Sequence, residues 1–203
     1  MDRRQLESAG EQYPYTHLQG LYAVPFGLVL WFFAGLANLA ETTGARWAAA
    51  AGMVFSVGVL GAVSLYYQRL FGKATPTQSR MTRYLAASVG GIVVFVGADQ
   101  LGRAVFGRPP ERPISTTAAA WAIGMFVFYA VARTLRARHV VIWAAVLVAA
   151  LLPIWGLGVD RDAIAYFPIG AACMVAGLLD HRDLVGTFRS FQTPHLEGGR
   201  VGT

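Results

Sequence analysis

The sequence predicts an all-α integral membrane protein of six transmembrane helices, with both chain ends on the cytoplasmic side. Three observations carry that expectation. The 203 residues are 55% apolar and 14% charged, with a mean hydropathy of +0.47, too apolar and too charge-poor for an ordinary soluble domain. Six apolar runs, Leu21–Ala40, Trp47–Tyr67, Tyr84–Leu101, Ile114–Ala132, Val140–Val159 and Ala163–Leu179, each come near the ~20 residues that cross a ~30 Å hydrocarbon core. Lys and Arg gather in alternate connections, the pattern that fixes the cytoplasmic face. The runs lack period-two alternation, so helices rather than barrel strands satisfy their backbones.

Residues 1–20 form a polar cytoplasmic tail in which Tyr13 and Tyr15, with Tyr22 beyond it, read as headgroup-level anchors. The first span tolerates Pro25 in its opening turns and ends at Asn38 and Glu41, three residues apart on one face. The second carries small residues four apart, Gly52/Ser56 and Gly58/Ala62, which let another helix come close. The basic loop from Gln68 to Arg83 holds Arg69, Lys73, Arg80 and Arg83 without an acidic residue, and the other spans take their sidedness from it. Within it Thr75-Pro76-Thr77-Gln78 has the form of a capping box, predicting that the third helix starts near Pro76. That helix ends with Asp99 and Arg103, four apart and able to pair, before a rigid GRPPERP loop.

Ser115 or Thr116 is the expected N-cap of the fourth span, which leaves through Tyr129 and Arg133 into a basic loop holding Arg136 and Arg138. Pro153 predicts a kink in the fifth span. Only Asp160, Arg161 and Asp162 separate spans five and six, which predicts a tight antiparallel hairpin. The membrane domain covers residues 21–183. A cytoplasmic tail, 184–203, has Leu184, Phe188 and Phe191 at the spacing of a short interfacial helix. The chain divides into three successive hairpins of similar length and orientation.

With both ends inside, twelve of the 17 Lys and Arg fall on the cytoplasmic side, and Arg46, Arg103, Arg108, Arg112 and Arg161 fall outside. The net charge of +6 is spread beside apolar runs, which points to anionic lipid headgroups rather than nucleic acid as the partner. Arg69, Lys73, Arg133, Arg136 and Arg138 are the expected headgroup or partner contacts. Two further constellations stand out. Asn38, Glu41, Asp99 and Gln100 map to the outer helix ends as a candidate ligand or ion site, Asp99 lying deepest in its apolar run. His139, Asp180 and His181 form the inner candidate, because the last hairpin sets them at similar depth. Cys173 is alone in the sixth span and reads as packing.

No phosphate loop, HExxH, GxSxG with partners or paired acidic motif occurs. The sequence names no cofactor and no catalytic residue. It favours a non-enzymatic accessory or regulatory subunit of a membrane assembly, working through a protein partner or its own oligomer. The alternatives are a small transporter or channel around Asp99, and an enzyme acting on a lipid or prenyl substrate. The arginine- and alanine-rich composition suits a GC-rich bacterial genome, which makes a bacterial inner membrane the expected setting.

Overall fold

The computed structural model describes residues 19–39, 42–71, 78–106, 114–132, 134–152 and 161–192. These form six helices and no strand. A 3₁₀ turn at Gly20–Tyr22 leads into α1 (Ala23–Leu39), followed by α2 (Thr43–Phe71), α3 (Gln78–Phe106), α4 (Thr116–Ala132), α5 (Ala137–Leu151) and α6 (Arg161–Gln192). Three of these, α2, α3 and α6, are long and apolar enough to cross a membrane, while α1, α4 and α5 are shorter apolar helices. The anchors Tyr13 and Tyr15, the cap at Thr75–Thr77, the GRPPERP loop and the turn at Asp160 lie outside the described residues.

Each expected hairpin packs on itself: α1 on α2, α3 on α4, α5 on α6. The extensive α1–α6 contact closes first helix on last. It is built on glycine. Gly20 of the 3₁₀ turn and Gly27 of α1 meet Gly177 and Gly170 on α6, so closely that a Cβ on Gly20 would lie 2.0 Å from the Gly177 carbonyl oxygen. Without a hydrophobic drive between helices in lipid, such backbone proximity is how they associate. Trp31 adds a hydrogen bond from Nε1 to the Phe167 carbonyl at 2.8 Å, next to Pro168, which sits inside α6 and has no N–H for the helix ladder.

The main core lies between α4, α5 and α6, where Ala118, Ala122, Trp143, Val146, Ile169 and Cys173 are buried, and Leu30 of α1 joins them. Helices α2 and α3 stand at the margin. Val54 is 73% exposed and Val93 64%, and most large apolar residues between Trp47 and Phe106 are likewise uncovered. An apolar surface this extensive is foreign to a monomer in water.

Three local expectations meet the coordinates differently. Ser115 is the N-cap of α4: its Oγ accepts from the Ala118 N–H at 3.2 Å. Pro153, where a kink is expected, lies outside the described residues; ahead of it α5 ends at Leu151 and Leu152 is extended, the region to which a residue before proline is restricted. The segment from Leu184 is no separate helix, since α6 runs through Gly186 to Gln192.

Candidate functional site

The polar side chains gather at the two ends of the bundle. At the end holding the α4–α5 connection, the site begins at the start of α5. The Arg136 N–H donates to Nδ1 of His139 at 3.2 Å, so the ring proton of His139 sits on Nε2. That nitrogen donates to the Asp180 carboxylate, 3.1 Å from Oδ1 and 3.3 Å from Oδ2. The Tyr129 ring of α4 lies flat on the imidazole, centroids 4.1 Å apart. His139 is buried, as is Asp180.

Arg138 bridges two carboxylates, Asp180 and Asp183, and Arg136 also reaches Asp183. Asp180 and Asp183 are three residues apart and therefore share the α6 face that meets α5. Two guanidinium groups face two carboxylates here, so the cluster balances its own charge.

His181 follows Asp180 and projects about 100° round the helix, toward α2. Its ring nitrogens bond the hydroxyls of Tyr66 at 3.3 Å and Tyr67 at 3.2 Å. The Tyr67 hydroxyl also accepts the Leu21 N–H at 3.1 Å, and the fully buried Leu184 packs beside it. One turn of α6 thus ties α5 with one face, and α2 and the entry to α1 with the other. The inner trio His139, Asp180 and His181 is brought together in depth, while its two histidines face different helices.

At the opposite end, buried Asp99 pairs with Arg103 at 2.7 Å. It also accepts from the hydroxyls of Thr116 and Thr117 at 3.4 Å each. These threonines open α4, whose N-terminal dipole favours a negative charge. Gln100, beside it in sequence, is exposed. The Asn38 side chain and Glu41 lie outside the described residues, and Asp99 turns to α4.

Of the expected headgroup contacts, Arg69 is exposed at the end of α2, Arg136 and Arg138 are engaged by α6, and Lys73 and Arg133 lie outside the described residues. Among the described residues no three His, Cys, Asp or Glu are grouped to hold a metal ion. Sequence reading missed the Tyr66–Tyr67–His181 clasp and the hydroxyls around Asp99. The adjacent tyrosines at the end of a span were the available signal for the first, and the two threonines after the N-cap for the second.

Chemically, both cluster arrangements hold helices together. Each ring nitrogen of His139 is engaged, and Asp99 is surrounded by donors. No protein-family model matches the chain, and no curated protein or solved structure is similar to it.

Proposed function

We propose that this chain is a six-span inner-membrane protein, with both ends in the cytoplasm, that acts without chemistry of its own as an accessory or regulatory subunit of a membrane assembly. The observation that carries the reading is the contrast between its inside and its margin. The described polar groups at the bundle ends are largely consumed by one another, whereas α2 and α3 carry long uncovered apolar faces. Gly58 and Gly61 on α2 and Gly97 on α3 meet nothing within 4 Å. Glycines at such positions suit the close approach of another apolar helix, and we assign that role to a helix of a membrane partner.

Six spans follow if the shorter α1, α4 and α5 also cross, held by their packing within the bundle. The charge asymmetry of the loops supports the cytoplasmic placement of both ends. The transport and lipid-enzyme readings gain less support, because Asp99 and His139 are each committed to neighbours within the chain. Purification of the tagged protein from native membranes in mild detergent, with quantification of what accompanies it, tests the proposal. A stoichiometric membrane partner lost on Gly58→Leu and Gly97→Leu substitution is the expected result. A partner-free, monodisperse monomer with an activity of its own sinks it.

A further inference from the structure

Between α1, α3 and α4 lies an apolar cavity of about 300 Å³ that none of the polar clusters uses. Its construction begins where α3 and α4 touch backbone to backbone. A Cβ on Gly124 would lie 2.9 Å from the Gly91 carbonyl oxygen, and one on Gly91 would lie 3.2 Å from that of Gly124. The missing side chains leave room beside the crossing. Aromatic rings close it: Trp121 stacks on Phe26 of α1, centroids 5.9 Å apart, and meets Phe95 edge-on at 5.2 Å.

Depth and opening identify the occupant. Phe128, also in the lining, packs against Tyr129, the residue stacked on His139, so one end of the cavity lies at the level of that polar layer. Trp121 is seven residues back along α4, about 10 Å deeper. The cavity therefore runs along the helix axes from the His139 layer inward, the direction in which a lipid tail lies. It opens sideways past Ile92, which lines it and is 62% exposed, among the apolar residues that cover the outward side of α3. The volume is at the lower end of small-molecule sites, and the side-chain polar atoms of its lining are the Ser88 hydroxyl and the indole Nε1 of Trp121, which is buried without a hydrogen-bond partner among the described residues. None of the lining side chains is charged, so a phosphate headgroup finds no counter-charge there, while the aromatic and aliphatic walls suit a hydrocarbon chain.

We propose that this cavity holds one acyl chain of a phospholipid from the leaflet at the His139 end. The proposal rests on the membrane reading above. The test uses the full chain reconstituted in phosphatidylethanolamine and phosphatidylglycerol vesicles carrying a phosphatidylcholine with a mid-chain diazirine. After irradiation, labelled positions are mapped by peptide mass spectrometry. Label on Phe26, Phe95, Trp121 and Met125 is expected at about tenfold the density found on Val54 and Val57 of α2, the ratio that a modest binding preference gives. Met125→Trp and Ser88→Trp, which fill the cavity from different helices, should each bring that label down to the α2 level without changing thermal stability. Equal density on the cavity and on α2, or undiminished label in both filled variants, overturns the proposal. Release of the wild-type chain from the vesicles by alkaline carbonate instead overturns the membrane reading, and the proposal with it.

Discussion

Adding a single methyl group at Gly177 tests the closure of α1 on α6. A Cβ there would lie 2.3 Å from the Gly20 carbonyl oxygen and 2.8 Å from the Ala23 Cβ. Ordinary contact begins near 3.4 Å, so the two backbones must part by about 1 Å, a gap that forfeits a quarter to a half of the attraction across it. The same movement pulls on the Leu21–Tyr67 hydrogen bond, since Leu21 is bonded to Gly20. Forcing extra volume into a filled contact costs about 1–3 kcal/mol, and we expect Gly177→Ala to lie near the middle of that range. Gly61→Ala is the matched control: its Cβ meets nothing within 4 Å, so its stability should fall no more than about 0.5 kcal/mol below wild type. Because Gly20 and Gly177 face each other, the double variant Gly20→Ala/Gly177→Ala should lose much less than the two singles added together. Unfolding in mixed detergent micelles, followed by tryptophan fluorescence, measures all four. A Gly177→Ala protein as stable as the Gly61→Ala control, or a strictly additive double variant, would refute the contact.

Asp180→Asn keeps an acceptor for His139 but strips a charge facing the partly buried Arg138, and should destabilise by about 3 kcal/mol. Arg136→Ala, whose side chain is 38% exposed, should cost less than about 1 kcal/mol in the same unfolding assay. Tyr67→Phe removes the acceptor of the Leu21 N–H and should cost about 1–2 kcal/mol; faster hydrogen exchange at Leu21 is the local signature, and unchanged exchange there contradicts the clasp. Asp99→Asn should lower stability by about 1–2 kcal/mol while leaving solute flux in reconstituted vesicles unaltered, and a changed flux would restore Asp99 to a transport path.

What the sequence made legible was whatever depends on near neighbours. Apolar runs, the Ser115 cap and the Asp99–Arg103 spacing are all local, and each appears in the coordinates. The pairing of His139 with Asp180 across 41 residues was approachable only because a hairpin sets equal depths for its two arms. Arg136 and Arg138 show a related limit: arginines beside a span read as headgroup contacts, and nothing local announces that the facing helix brings Asp180 and Asp183 to them. The α1–α6 seam was written twice in the sequence, as Gly20 with Gly27 and Gly170 with Gly177, each pair seven residues apart. The two pairs only acquire meaning when the first and last helices are laid antiparallel, which no local rule dictates. The end of α5 is again local: Leu152, which precedes a proline in the sequence, is extended and the helix has stopped at Leu151.

The unequal helix lengths connect these features. Fourteen residues separate Ser115 from Tyr129 along α4, about 21 Å at 1.5 Å per residue, so the polar layers at the two ends of the α4–α5 hairpin lie closer together than the ~30 Å of a bilayer core. By contrast, α2 and α3, with 29 residues each, are about 44 Å long. On the proposed six-span reading, charges at the ends of the short α4–α5 hairpin fall at depths where an unpaired ion is costly, which gives a physical reason for Asp99, His139, Asp180 and Arg138 to be engaged within the protein. Helices α2 and α3 have the length to shield that shortened middle from lipid, yet they stand at its margin with their own faces uncovered. An additional apolar helix laid against Gly58, Gly61 and Gly97 would complete the shield, and the thinness of the middle is what makes such a partner energetically worthwhile.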